Sequence, residues 1–335
     1  MSRARSIQRL HELVQGQNAD FFALLTERKP GATRDGKPFY NCRFKDGRRT
    51  VSTAIWADSK QYDDCSKNWK EGQCYKLRAT YGESERYGPQ IDIEQIRPVK
   101  DEYRSDGFDP AEFFPHSRFE PNGLFVELWK LVEANVSDEP LRKLVLTILD
   151  RHSDRLKRLP ASARHYYPFT GGWLEHTLQV TRTCLMLVNH YAAHYSESKP
   201  ALNRDLVVAG AVLHDIGRVG ELDDAIPAQQ SVAGRFDGHI LLGRDLVRET
   251  AREILGLNPE LLMLLEHLLL THLTLPEWGS PRLPLIPEAL ILHHADDLDA
   301  KLEMYTRCLT TDAAPGLFTE RDPILNRQLY KGRGV

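Results

Sequence analysis

Cysteine is scarce in this chain of 335 residues. There are five, Cys42, Cys65, Cys74, Cys184 and Cys308, odd in number, scattered and never spaced as C-x-x-C. That excludes a secreted disulfide framework and a zinc ribbon. Long apolar runs are lacking too. The opening MSRARSIQRLHELVQGQ has no greasy core of the kind a secretory signal needs. The most apolar later stretch, Leu257 to Leu275, is broken by Glu260, Glu266, His267 and His272 and is too polar to span a bilayer. Nor does one sign of charge dominate: 44 Lys+Arg against 47 Asp+Glu leave −3 with histidine neutral. No internal repeat or low-complexity tract is present. What is there is an ordinary globular composition, 41% apolar and 27% charged, long enough for two domains. A reducing, cytoplasmic protein without membrane association is expected.

The near-neutral total hides an asymmetry. Residues 1–100 carry 19 Lys+Arg against 13 Asp+Glu, net +6, and residues 101–335 carry 25 against 34, net −9. Two modules with different partners would produce such a split. The first hundred residues predict five short strands, rich in β-branched and aromatic residues: Phe21–Glu27, Pro38–Phe44, Thr50–Trp56, Gln73–Tyr81 and Gln90–Arg97. Turn signals separate them, and a polar helix near Ser59–Asn68 fits between the third and fourth. That layout predicts an all-β OB-fold barrel over residues 1–97. Residues 98–121, acidic and punctuated by Pro and Gly, read as a linker. Beyond them helical periodicity takes over: Gly123–Asn135, Glu139–Ser153, Gly172–Tyr195, Arg204–Asp215, Gly238–Ile254, Pro259–His272 and Pro287–Arg307. An all-α helical bundle is expected over 122–310, followed by a tail at 311–335.

Ten of the thirteen histidines lie at or after His165. The key run is Leu213-His214-Asp215-Ile216-Gly217-Arg218, at the end of a helix whose other residues are mostly apolar. An adjacent His and Asp on a greasy helix are costly to bury unless paired or bound to a cation. His176, His239 and His272 sit on other predicted helices. His293, His294, Asp296, Asp297 and Asp299 crowd the last one. Helical bundles build metal sites this way, with one or two inward ligands per helix.

The order His176, His214-Asp215, His239, His272 and Asp296 resembles the H…HD…H…H…D pattern of the HD-domain metal-dependent phosphohydrolases. The likeness is closer still to the YhaM-type 3′→5′ exoribonucleases, which join an N-terminal OB-fold to a C-terminal HD domain. It rests on Gly-Gly-Trp-Leu-Glu-His-Thr at 171–177, Leu-His-Asp-Ile-Gly at 213–217, Gly-His-Ile at 238–240, Gly-Ser-Pro at 279–281 and Ala-Asp-Asp-Leu-Asp-Ala-Lys at 295–301. In the first domain it rests on Asp35-Gly36-Lys37-Pro38-Phe39, Ile55-Trp56 and Ile96-Arg97. Three departures stand out: Leu273 where the family has a second His of a pair, Arg218 where it has Lys, and His165-Tyr166-Tyr167 where it tends to have further histidines.

The resemblance implies a metal-dependent exoribonuclease that hydrolyses single-stranded RNA to nucleoside 5′-monophosphates, with a metal-activated hydroxide as nucleophile. It implies a first divalent ion on His176, His214, Asp215 and Asp296, and a second shared by Asp215 with His239 and His272. Asp215 and Arg218 would be catalytic, Arg218 by neutralising a phosphate oxygen. Mn²⁺ is the expected ion, and Fe²⁺, Co²⁺ or Zn²⁺ suit the same donors. Single-stranded DNA is an alternative polymer, and a homo-oligomer is compatible with the family. Competing readings are an HD phosphohydrolase of small nucleotides (a dNTP or cyclic nucleotide) and a nucleic-acid-binding protein with an impaired metal site. In the barrel, aromatics and cations interleave, with Arg34, Arg86 and Tyr87 among them. Phe39, Tyr40 and Tyr81 are the expected stacking residues, and Arg48 and Arg49 the expected phosphate contacts.

Overall fold

The computed structural model describes residues 7–33, 35–84, 88–223, 228–312 and 314–332, so Arg34, Arg86 and Tyr87 lie outside the described residues. The chain divides into two compact units at Pro115 and His116.

The first unit is built on β1 (Ile7–Gln8), β2 (Asn18–Ala32), β3 (Pro38–Lys45), β4 (Thr50–Trp56), α1 (Tyr62–Lys67), β5 (Cys74–Ser84) and β6 (Gly88–Pro98). The sheet runs β1-β2-β3-β4-β6-β5, and β2 also pairs with β5, which closes it into a barrel. Closure depends on the length of β2. Its first half pairs antiparallel with β5 (Phe21 opposite Leu77) and its second half with β3 (Arg28 opposite Cys42), the register shifting between Leu25 and Glu27. Five closed strands with a helix between the third and fourth constitute an OB-fold. Strict alternation fills the interior: Phe21, Ala23 and Leu25 from β2, Cys42 and Phe44 from β3, Val51 and Ile55 from β4, Tyr75, Leu77, Ala79 and Tyr81 from β5. Trp69, just past α1, plugs one end against Phe44 and Tyr75.

The same alternation turns Phe22 and Leu24 outward, where apolar surface needs cover. Residues 98–115 supply it. Two 3₁₀ turns, Asp101–Asp106 and Pro110–Glu112, lay Tyr103, Phe108 and Phe113 over Phe22, Leu24 and Cys74. The Phe22 and Phe108 rings meet edge-on at 5.1 Å. This segment, whose composition suggested a connector, packs on the barrel.

The second unit is helical: α2 (Pro121–Asn135), α3 (Glu139–Arg151), α4 (Ser153–Leu156), α5 (Gly172–His194), α6 (Arg204–Leu213), α7 (Arg218–Glu221), α8 (Val232–Ala251), α9 (Pro259–Thr271) and α10 (Pro287–Thr311). The starts are chemically marked. Asp138, Asn203, Ser231 and Asn258 each accept a backbone N–H of the following turn, and proline opens α2, α3, α9 and α10. α6 is buried on every side from Leu206 to Leu213, so it runs through the centre of the bundle and ends inside it. Residues 314–332 form two small antiparallel bridges, Phe318 with Tyr330 and Asp322 with Arg327, and Lys331 pairs with Asp312 at 2.7 Å.

One polar knot in the first unit has a measurable weight. Asp46 is buried, and its carboxylate accepts from the backbone N–H groups of His11, Arg48 and Arg49 and from His11 Nδ1. Burial alone would raise its pKa, but these hydrogen bonds prevail and hold it below the ordinary carboxylate value. The stabilisation is therefore full above the unfolded-state pKa near 4 and is lost as pH falls through the lower folded value. Asp46→Ala is expected to cost about 2 kcal/mol at neutral pH by stranding three N–H groups. Urea unfolding should show that difference at pH 7 and a smaller one at pH 3.

Candidate metal centre

α6 delivers His214 and Asp215 into the interior because its apolar residues pull it through the bundle core. His176 comes from the first turns of α5. His239 follows Gly238, where α8 kinks at φ 69°, His272 closes α9, and Asp296 sits midway along α10. These six make two groups of three: His176, His214 and Asp296, and Asp215, His239 and His272. Within each group the donor atoms lie within 4.8 Å of one another. All six are buried except His239, which is half-buried.

The imidazoles share one orientation. His214 Nδ1 donates to the Ala211 carbonyl and His272 Nδ1 to the Leu269 carbonyl, both at 2.8 Å. His176 Nδ1 donates to Asp299 Oδ2 at 2.7 Å, and His239 Nδ1 lies 3.5 Å from Glu221 Oε1. Each Nε2 is thereby left to face its group. The His176 and His214 Nε2 atoms approach to 3.3 Å, with Asp296 Oδ1 at 3.1 and 3.8 Å. Asp215 stands between the groups, its Oδ1 3.2 Å from His239 Nε2 and its Oδ2 3.9 Å from His214 Nε2.

Electrostatics and unmet bonding both fit a cation. Asp215 Oδ1, His239 Nε2, His272 Nε2 and Arg218 Nε are buried and make no hydrogen bond among the described residues. Such atoms cost about 1–3 kcal/mol each when left unpaired. Burial works against the charged form of His176, but the hydrogen bonds to Asp296 and Asp299 prevail and lift it to about 10. Burial lowers His272 to about 4, which keeps it a neutral donor. Burial would raise both carboxylates, yet His176 and its neighbours bring Asp296 to about 2, and Arg218 with His239 holds Asp215 well below its ordinary value. Once His176 gives up the proton that its two carboxylate partners hold, the ionised carboxylates and inward-facing imidazole nitrogens make a donor set suited to divalent transition metals.

Arg218 is enclosed beside Asp215. Its guanidinium bonds Glu221 and the Tyr166 hydroxyl, the latter at 3.1 Å. Glu221 does not stand out in the sequence, being one acid among many, and Tyr166 is marked there only as a departure from the family's histidines, with no role attached. Asp299 was visible only as part of the acidic crowding on α10. Both ligand groups assemble without a donor at position 273.

In the barrel, alternation along β3 and β4 puts Phe39, Asn41, Arg43, Thr50, Ser52, Ala54 and Trp56 on a groove of about 600 Å³. Phe39 lies 4.9 Å from Trp56, and Trp56 is 45% exposed. Trp56 is the groove aromatic that the expected stacking set lacked. Tyr40 points the other way, against Tyr62, with the Arg28 guanidinium over its ring. Tyr81 is buried in the core, so it offers no face to a base. Arg49 covers that ring and donates to the Leu10 and Leu13 carbonyls, which commits it to the fold, whereas Arg48 stays exposed at the β3–β4 turn.

Gly217 holds α7 against α8. A Cβ there would come within 1.9 Å of the His239 carbonyl oxygen and 2.6 Å of the Gly243 nitrogen. Gly217→Ala is expected to destabilise the fold by about 2 kcal/mol, as overpacking does. It should also displace His239 and reduce the metal bound per chain. Thermal unfolding and elemental analysis would check both.

The HD domain family matches residues 173–301, the segment that supplies all six donors. Three relatives are each named 3′-5′ exoribonuclease YhaM. The protein from Geobacillus sp. is 28% identical, over 94% of this chain and 92% of its own length. That from Listeria monocytogenes is 29% identical over 94% and 95%, and that from Bacillus subtilis 29% identical over 96% of both. The chain thus carries an HD domain behind an OB-fold, and over nearly its whole length it is similar to the YhaM-type family.

Proposed function

We propose that this protein is a metal-dependent 3′→5′ exoribonuclease that releases nucleoside 5′-monophosphates from single-stranded RNA. The observation that carries the reading is Asp215, a buried carboxylate set between two donor groups, each with imidazole nitrogens facing inward. His176, His214, Asp215 and Asp296 would hold one divalent ion, and Asp215, His239 and His272 a second. Mn²⁺ is our assignment, with Fe²⁺, Co²⁺ and Zn²⁺ as chemically suited substitutes. Such ions supply Lewis acidity, lowering the pKa of water and offsetting phosphodiester charge.

The chain's own groups do the remaining work. The Nδ1 bonds of His176, His214 and His272 fix their rings before any substrate arrives, and Glu221 stands 3.5 Å from His239 Nδ1. Arg218, anchored by Glu221 and Tyr166, holds its Nε 3.4 Å from Asp215 Oδ1 without a hydrogen bond, from where it would turn to donate to a phosphate oxygen. No serine or cysteine nucleophile is required. In the barrel, Phe39 and Trp56 offer stacking faces and Arg43 a cation on one groove, the combination by which OB-folds hold single strands without reading sequence.

A 5′-labelled single-stranded RNA incubated with Mn²⁺ should shorten from its 3′ end into a ladder, and Asp215→Ala should leave it whole. Intact RNA in the presence of metal-loaded native protein would refute the proposal. Trp56→Ala is expected to raise KM roughly tenfold with kcat retained, in line with ~1–3 kcal/mol per stacked base. Steady-state kinetics on the same RNA measures that split.

A further inference from the structure

We propose that Tyr166 is a positioning residue of the metal centre, setting the carboxylate of Asp215 and the guanidinium of Arg218 together; this rests on the metal-dependent reading above. Tyr166 belongs to the irregular stretch between α4 and α5, yet it touches both donor groups. Its hydroxyl donates to Asp215 Oδ2 at 3.1 Å and accepts from Arg218 at 3.1 Å. Its ring lies 4.9 Å from the ring of His176. One side chain thus contacts the first group, the carboxylate between the groups, and the cation beside them.

The placement is built into the chain. Gly172 opens α5 directly under the Tyr167 carbonyl, and a Cβ there would lie 2.2 Å from that oxygen. Only a glycine lets the 166–167 backbone press so closely on the helix that carries His176. Tyr167 is buried beside Tyr166, and its hydroxyl bonds Asp299 Oδ1 at 3.3 Å. Asp299 in turn orients His176. The two tyrosines therefore brace two different members of the centre, and Tyr166 braces the one set between the groups.

A phenol is suited to this place. Its O–H has one proton to give and lone pairs to receive, so it can serve an acid and a cation at once. Donation to Oδ2 leaves Oδ1 turned toward His239. Arg218, held through the same oxygen, keeps its Nε on the side of Asp215. Without the hydroxyl, the Asp215 carboxylate loses the proton donated to its Oδ2, and Arg218 loses one of its hydrogen-bonded anchors.

The test is Tyr166→Phe in the full chain, which deletes one oxygen from a half-buried residue and should lower the metal-free melting temperature by no more than a few degrees. Mn²⁺ affinity, measured by calorimetric titration of the metal-free protein, is expected to weaken about tenfold or more, the usual effect of removing a partner of a metal ligand. On RNA, kcat should fall by a similar factor with KM within twofold. Tyr166→His, which restores a donor, should recover part of both. Unchanged Mn²⁺ affinity in Tyr166→Phe would overturn the proposal. So would equal losses in both variants accompanied by a metal-free melting temperature lower by roughly ten degrees or more, which would make Tyr166 a fold residue. Because the titration needs no RNA, the two proposals can fail separately. Failure of the native protein to degrade RNA would refute the exoribonuclease reading, while the Mn²⁺ affinities alone decide the role of Tyr166.

Discussion

Asp215 is a carboxylate removed from water just past the end of α6, a helix buried from Leu206 to Leu213. Ionised groups at such depth are tolerated only when charge of the opposite sign is supplied nearby. Here Arg218, one turn on, supplies it, and the Tyr166 hydroxyl and the His239 imidazole border the same carboxylate. Arg218 is itself balanced by Glu221, so the protein's own cations are already shared out. What is left is a pair of carboxylates, Asp215 and Asp296, bordered by imidazole nitrogens at close range. Divalent cations would suit that donor set, and much of the helical unit can be understood as a frame that holds it in place.

The frame uses helix ends. His214 and His272 are the C-caps of α6 and α9, and each returns its Nδ1 proton to the carbonyl three residues back. One bond does two jobs. It satisfies a carbonyl that the ending helix leaves without an N–H partner, and it fixes which nitrogen faces the site. The negative ends of two helix dipoles also converge there, which favours cations. His176 is held by a carboxylate, Asp299, so the centre is tethered both to backbone and to charge.

Legibility followed the length of the pattern. Barrel strands and bundle helices were readable because alternation and 3.6-residue periodicity accumulate over many residues, and the six donors because His and Asp are conspicuous on apolar helices. Groups whose role lies in contacts between distant segments left no such trace of it. Glu221 and Tyr166 gain meaning only when α7 and the 157–171 segment fold against Asp215. The barrel aromatics show the same limit: Tyr81 and Arg49 have the right chemistry for a strand-binding surface, but alternation sends Tyr81 inward and Arg49 follows it as a cover. Trp56 was in view in the sequence, yet nothing local distinguished it from Tyr40. Its outward phase relative to Val51 and Ile55 decides the matter, and that phase is set by where the barrel closes.

The two modules also answer one requirement from opposite directions. An enzyme that removes successive nucleotides from an end must accept every base at each step, so any hydrogen-bonded readout of base edges would stall it at disfavoured sequences. The groove on β3 and β4 offers ring faces and a cation, and every base has a face. On the proposed function, the metal centre would address only phosphate, the part of the polymer that never varies. Selection would thereby be confined to what all single strands share, and discrimination would come from strandedness and from the chain end rather than from sequence.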